Sequence, residues 1–270
     1  MREQNESRRF CLLEEKVQVL VFLCAVQSRA ASKDWARVSA LCNRTIASIC
    51  AQTSPEFKVV LVCNEAPQLT VRSPRLEILT HDFPLPEPNT KSRMADKFEK
   101  IGFAAYAVRN LAPAYFMTAD ADDCVSNRLV HFVETQHEAH GWYLDESYMH
   151  EQGSRWVFLR DNFHVFCGTS SIIRCTPEDL PSAAKREESR PSLVYVGHTQ
   201  IKAHMESIGR PLAQLPFRGA IYEVGTGEND SGLSLRSWPS IRTGIKRLAR
   251  TRPMTESIRR EFGSWELSGR

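Results

Sequence analysis

Three carboxylates close an apolar run in Tyr115-Phe116-Met117-Thr118-Ala119-Asp120-Ala121-Asp122-Asp123. A short aromatic-rich run of this kind reads as a buried strand, and acids at its end fall at the sheet rim where α/β proteins bind ligands. Asp120 and Asp122 are two residues apart, so both side chains face the same way if strand geometry persists. Like charges so placed repel, and a cation between them relieves the cost. All-oxygen ligation suits Mg²⁺ or Mn²⁺, ions that usually keep positions open for phosphate oxygens, which makes a nucleoside diphosphate with its metal the expected ligand. The alternative is a solvated acidic turn capping a helix that starts at Ser126, since Asp and Ser both favour helix starts. An EF-hand loop is excluded, because the glycine and closing Glu are missing at their fixed offsets after Asp120.

The elements that must position these acids alternate along the chain. Residues 17–26 form an apolar run read as a first strand. Glu14 and Glu15 precede it, no small-residue cleavage site is clear and it is too short to span a bilayer, so a cytoplasmic protein is expected. Trp35, Val38, Leu41, Cys42, Thr45 and Ile49 recur at the three- and four-residue spacings of one helix face. Residues 57–63 are a continuous apolar strand, 76–79 a short third strand, and Phe83-Pro84-Leu85-Pro86-Glu87-Pro88 a loop. Phe98, Ile101, Ala105, Val108 and Leu111 give a second helical stripe leading through Pro113 into the acid-bearing strand. The alternation predicts an α/β fold, a mostly parallel sheet flanked by helices. A further helix is expected over 127–140. Short strands at 142–148, 156–159 and 163–166 make the second half more antiparallel.

Composition bounds the rest. The 270 residues are 42% apolar and 25% charged, ordinary for a soluble globular chain. The net charge of +3 is too small to argue for nucleic acid, and no aromatic-plus-basic RNA-binding signature accompanies it. Eight cysteines with no Cys-x-x-Cys pair read as buried hydrophobes in a reducing compartment rather than a zinc cluster or disulfide framework.

Leu41-Cys42-Asn43-Arg44-Thr45-Ile46-Ala47-Ser48-Ile49-Cys50-Ala51-Gln52-Thr53, the strand that follows at 57–62, and Asp120-Ala121-Asp122-Asp123 together resemble the glycosyltransferase A fold, and within it the family 2-like inverting enzymes. The similarity runs over about residues 17–215. It implies transfer of a sugar from a nucleotide-sugar donor, UDP-type as a first guess, to a hydroxyl of a saccharide or lipid-linked acceptor. The matching positions for the nucleoside are Val26, Gln27, Asn64 and Glu65, although a polar turn after the strand explains Asn64 and Glu65 equally well. Lys91, Arg93 and Lys97 match residues that approach the diphosphate, and Arg93-Met94-Ala95-Asp96-Lys97 opens a helix whose N-terminus favours phosphate. Solvated charges at a helix start are the competing explanation. Mn²⁺ or Mg²⁺ would be held by Asp120, Asp122 and Asp123, with Asp120 also facing the donor.

The same resemblance calls for a Glu-Asp pair as general base between an acceptor loop, matched by Gly168-Thr169-Ser170, and a later segment, matched by Ile208-Gly209-Arg210. Counting back about a dozen residues from Gly209 reaches Gly197-His198 and no such pair. His198 can replace the carboxylate as base or serve as a further metal ligand, or it can lie near a helix start without catalytic duty. Asp179, after Glu178, is an alternative base that looks more like a helix start. Glu187 and Glu188 lie in a charge-rich stretch, 185–190, that reads as a mobile loop and a candidate lid.

The expected division is an N-terminal extension (1–15), a glycosyltransferase-like domain (16–235) with a nucleotide-sugar half (16–125) and an acceptor half (126–235), and a basic tail (236–270). In that tail Trp238, Ile241, Ile245 and Leu248 recur at helical spacing among arginines and lysines, which suits either peripheral contact with an anionic membrane or packing on the chain's own domain. Two function classes remain, a metal-dependent glycosyltransferase and a catalytically inactive nucleotide-sugar or glycan-binding protein on the same fold. A nucleotidyltransferase is weaker, because Gln27-Ser28-Arg29-Ala30-Ala31 lacks a Gly-rich phosphate loop.

Overall fold

The computed structural model describes residues 20–136, 139–228 and 249–263. In chain order the first half runs β1 (Leu20–Ala25), α1 (Trp35–Cys50), β2 (Phe57–Cys63), β3 (Leu76–Thr80), α2 (Thr90–Ala107) and β4 (Ala114–Asp120). The second half runs β5 (Cys124–Val125), α3 (Leu129–Glu134), β6 (Gly141–Tyr143), β7 (Ser147–Glu151), β8 (Trp156–Arg160), β9 (Ser171–Cys175), α4 (His198–Ser207), β10 (Ala213–Gln214), β11 (Ala220–Val224), β12 (Thr251–Pro253) and α5 (Glu256–Glu261).

Among the described residues the main sheet has the order β10-β6-β9-β4-β1-β2-β3, with β9 antiparallel to both its neighbours and the remaining pairs parallel. This mixed, mostly parallel sheet with helices on its faces is an α/β architecture compatible with a Rossmann-like fold. β1, β2 and β4 are apolar almost throughout because both faces of a central parallel strand are covered. Leu20 and Phe22 pack with Val38, Cys42, Ile46 and Ile49 of α1. Val21 and Leu23, on the opposite face, pack with Ile101, Ala104 and Ala105 of α2 and with Ile201 and Met205 of α4. Asp34 caps α1 by accepting the Arg37 amide at 3.1 Å, and Asn89 caps α2 by accepting the Ser92 amide at 2.9 Å.

A second sheet, β12-β8-β7-β11-β5, carries the more antiparallel part, with only β11 and β7 parallel. The expected strand over 142–148 is divided between the two sheets as β6 and β7, and the one over 163–166 is instead a 3₁₀ turn after Asn162, whose φ is +50°. The helix expected over 127–140 shrinks to α3. Before it, the Ser126 and Asn127 amides are committed to the carbonyls of Gly219 and Glu261, and after it the Thr135 hydroxyl takes the Phe132 carbonyl. Within the expected basic tail, β12 joins this sheet by pairing with β8, and Met254 and Phe262 are buried against Cys124, Val157 and Ile221. The stripe Trp238, Ile241, Ile245 and Leu248 lies outside the described residues, as do Cys11 and residues 1–15. The other seven cysteines are unbridged. No helix among the described residues is long and apolar enough to cross a membrane.

Candidate functional site

Chain direction creates the site. β1 leads through α1 to β2 on one side, whereas β3 leads through α2 back to β4 on the other, so the connections diverge at the C-terminal ends of β1 and β4. Such a divergence opens a crevice in a parallel sheet. Ala25 and Asp120, the last residues of the two strands, are register partners. A cleft of about 270 Å³ lies there, lined by Val26 and Gln27 after β1, Arg93, Asp96, Lys97 and Lys100 of α2, Asp120 at the end of β4 and Asp122 after it, and Gly168, His198, Tyr222 and Glu228 from the second half.

Asp120 and Asp122 share the cleft, but not by extending the strand. The Asp123 amide bonds the Asp120 carbonyl at 3.1 Å, so the chain turns immediately and the turn delivers Asp122. The Lys97 ammonium is bonded to Asp120 Oδ1. Burial works against the Lys97 charge, but Asp120 outweighs it and the lysine pKa is raised. Burial, and then the Asp120 charge, push the Asp122 carboxyl up to about 7, with Lys97 and Arg44 pulling the other way. The Arg44 guanidinium also donates to the Asp122 carbonyl at 2.9 Å, fixing the turn from α1.

Asp123 stands behind the cleft wall, fully buried. Its Oδ2 accepts from the Thr169 hydroxyl at 2.6 Å and the Cys167 thiol at 3.1 Å, and its Oδ1 accepts from the Glu223 amide at 3.2 Å. Thr169 in turn accepts the Asp120 amide at 2.8 Å. Asp123 therefore clamps the 167–169 loop and β11 to the acid turn, and its engaged oxygens remove it from the expected ligand set. Thr169 and Ser170 are buried with it, leaving Gly168 as the member of the expected acceptor loop that lines the cleft. A Cβ on Gly168 would stand 2.7 Å from Asp120 Oδ2 and 2.9 Å from Lys97 Nζ, so a side chain there meets the Lys97–Asp120 pair directly.

His198 is the first residue of α4 and lines the same cleft. Burial, then the Lys97 charge, lower its pKa against the opposing pull of Asp120 and a hydrogen bond to the Val165 backbone, which favours neutral imidazole. Asp179 is elsewhere: both its oxygens accept from Arg210 Nη1, at 2.8 and 2.9 Å, and Oδ2 also takes the Thr176 amide at 2.8 Å. Burial would raise its pKa, but these bonds overcome it and hold the carboxyl low. The Arg210 of the expected later segment is spent on this bridge. Glu187 and Glu188 also lie outside the cleft, in a short 3₁₀ turn whose Arg186 packs over Phe98 and Tyr195. Asn64 and Glu65 line a neighbouring hollow of about 430 Å³ at the ends of β2 and β3, where Asn64 donates to the Phe83 carbonyl at 2.7 Å and Glu65 accepts the Arg29 amide at 3.1 Å.

Three polar lining residues escaped the sequence reading. Lys100 is fully buried, 2.8 Å from Asp96 and 3.1 Å from the Val26 carbonyl, and so ties α2 to the end of β1. The four-residue spacing of Asp96 and Lys100 was a readable signal for this pair. Tyr222 and Glu228 arrive from a hundred residues downstream of the acids, and no local pattern marks them. Glu228 accepts from Gln27 Nε2 at 2.9 Å and from the Lys33 and Asp34 amides at 3.2 and 2.9 Å, so it latches its loop onto the start of α1. Among the described residues no three His, Cys, Asp or Glu side chains form a ready-made metal cage. No protein-family model matches the chain, and no curated protein matches it either.

Proposed function

We propose that this chain transfers a sugar from a nucleotide-sugar donor to a hydroxyl acceptor, with inversion, using a divalent metal on a glycosyltransferase A-like fold. The observation that carries the reading is the pairing in one cleft of two acids, Asp120 and Asp122, with the cations of Arg93, Lys97 and Lys100, at the point where the strand connections diverge. The donor set suits the metal: the Asp120 charge makes the neighbouring Asp122 carboxyl costlier to ionise, and a hard cation between the two relieves that cost. Asp120 and Asp122 would hold Mn²⁺ or Mg²⁺, which when bound offsets charge developing on the departing diphosphate.

The remaining steps belong to the chain's own side chains. Arg93 and Lys97, one helical turn apart on α2, face the phosphate charge. His198, neutral and in the same cleft, takes the proton of the attacking hydroxyl. Asn64 and Glu65, in the adjoining hollow, are positioned for the nucleoside. The test is release of sugar over a panel of nucleotide-sugar donors with Mn²⁺, alongside calorimetry with UDP. Metal-dependent UDP binding without turnover of any donor favours the second reading, a nucleotide-sugar or glycan-binding protein. That alternative is supported by the engagement of Asp179 with Arg210, which leaves no carboxylate base from the expected segment in the cleft. Absence of both turnover and binding across the whole donor panel refutes the transferase and the nucleotide-sugar-binding readings together.

A further inference from the structure

Two lysines of α2, three residues apart, are held very differently. Lys100 is buried and bonded to Asp96 and to a backbone carbonyl. Lys97 meets Asp120 on the cleft wall with 27% of its side chain and 22% of that of Asp120 exposed. Its ammonium is a point charge on a flexible stem, able to leave one partner for another without moving the helix. Asp120 shares the cleft with Asp122, and a divalent ion can answer both carboxylates at once where the ammonium holds one. Arg93 lies four residues earlier, on the same face of α2 and in the same cleft. Gly168 opposite contributes no side chain where the ammonium sits.

We infer that Lys97 is an exchangeable cation: its ammonium and a divalent metal ion are alternative partners of the Asp120 carboxylate, and off Asp120 the ammonium joins Arg93 on the phosphate oxygens of the donor. This rests on the metal reading above and adds a coupling to it. Lys97 opposes metal binding by the apo chain and favours diphosphate binding once metal is present, so the two ligands bind synergistically.

The test uses the full 270-residue chain and its Lys97→Met, Lys97→Arg and Asp122→Asn variants. Mn²⁺ alone is titrated by the paramagnetic resonance of the free ion, and UDP is titrated by calorimetry at saturating Mn²⁺. Lys97→Met is expected to bind Mn²⁺ about tenfold more tightly and UDP about tenfold more weakly, the order that one partly exposed charge-assisted bond commands. Lys97→Arg keeps the charge and stays within about threefold of the parent for Mn²⁺. Opposite signs for the two ligands distinguish exchange from mere damage, and Lys97→Gln replaces the Met variant if circular dichroism shows the latter unfolded. Mn²⁺ binding that requires Asp122 but does not tighten in Lys97→Met overturns the exchange and spares the metal site. So does an arginine variant that behaves like the methionine one. Failure of Mn²⁺ to bind any of these proteins overturns the metal site and the exchange together.

Discussion

Adding one methyl group at Gly168 tests whether the Lys97–Asp120 pair is the working centre of the cleft. The new Cβ would stand 2.7 Å from Asp120 Oδ2, about 0.7 Å short of the 3.4 Å where ordinary contact begins. The loop cannot retreat, because Thr169 bonds Asp123 at 2.6 Å and the Asp120 amide at 2.8 Å. The backbone is not strained either, since Gly168 is absent from the positive-φ glycines. What yields is therefore the far end of two side chains, and their charge-assisted bond is lengthened or lost. Such a bond, partly exposed, contributes on the order of 1–2 kcal/mol, or about 5- to 30-fold in an equilibrium. Replacing glycine also stabilises by about 0.4–1 kcal/mol through the unfolded chain, so the net loss of stability is about 1.6 kcal/mol or less. Gly168→Ala should accordingly unfold within about 6 °C of the parent while affinity for Mn²⁺ alone rises by about 5- to 30-fold, because the ammonium holds Asp120 less firmly against the metal. Thermal melts and calorimetry on the same preparations read both numbers. Unchanged Mn²⁺ affinity would show that the pair does not compete with the metal, and a collapse of the melting temperature would show that the loop, not the side chains, absorbs the methyl group.

Asp122→Asn should abolish Mn²⁺-dependent UDP binding without unfolding the chain, because the amide keeps the shape and loses the charge; unaltered affinity by calorimetry contradicts this. Because burial and Asp120 push the Asp122 carboxyl up to about 7, the native chain retains a proton that an unfolded chain loses near pH 4, so this contribution to stability is full at low pH and declines as pH rises to about 7. Urea midpoints at about pH 5.5 and about pH 8 should show that decline in the parent and a weaker one in Asp122→Asn, and equal slopes would refute the assignment. His198→Ala should lower turnover by about two to four orders of magnitude with donor affinity nearly unchanged, as for a base acting in the transition state. A parallel loss of affinity and metal dependence would make His198 a ligand instead, and full activity would exclude both. Asp179→Asn should cost about 1–2 kcal/mol in urea unfolding through its Arg210 and Thr176 bonds, yet leave turnover within about twofold; a large loss of turnover would return it to the candidate bases.

Local pattern was enough wherever a residue's role depends on its neighbours in the chain. The apolar runs of β1, β2 and β4 and the spacing of Val38, Cys42, Ile46 and Ile49 record burial at periods of two and 3.6 residues, so strands, helices and the α/β class could be read directly. Asp120 and Asp122 were legible as a charged pair because a strand end places them at a sheet rim. The division of labour among the acids was not, since Asp123 is removed from the cleft by Thr169, Cys167 and Glu223, partners separated from it by 44 to 100 residues. Asp179 was likewise misplaced by spacing alone, because only the fold brings Arg210, 31 residues away, onto its carboxylate. Short elements fared worst: 163–166 and much of 127–140 have the composition of a strand and a helix, but bonds to Leu144, Gly219 and Glu261 decide their backbone. The sequence by itself determined which apolar residues are buried and where the acids fall along the chain, both consequences of local chemistry. Only the tertiary structure decided which acids share the cleft with Lys97, His198, Tyr222 and Glu228, because that depends on the direction of the crossovers between β1 and β4.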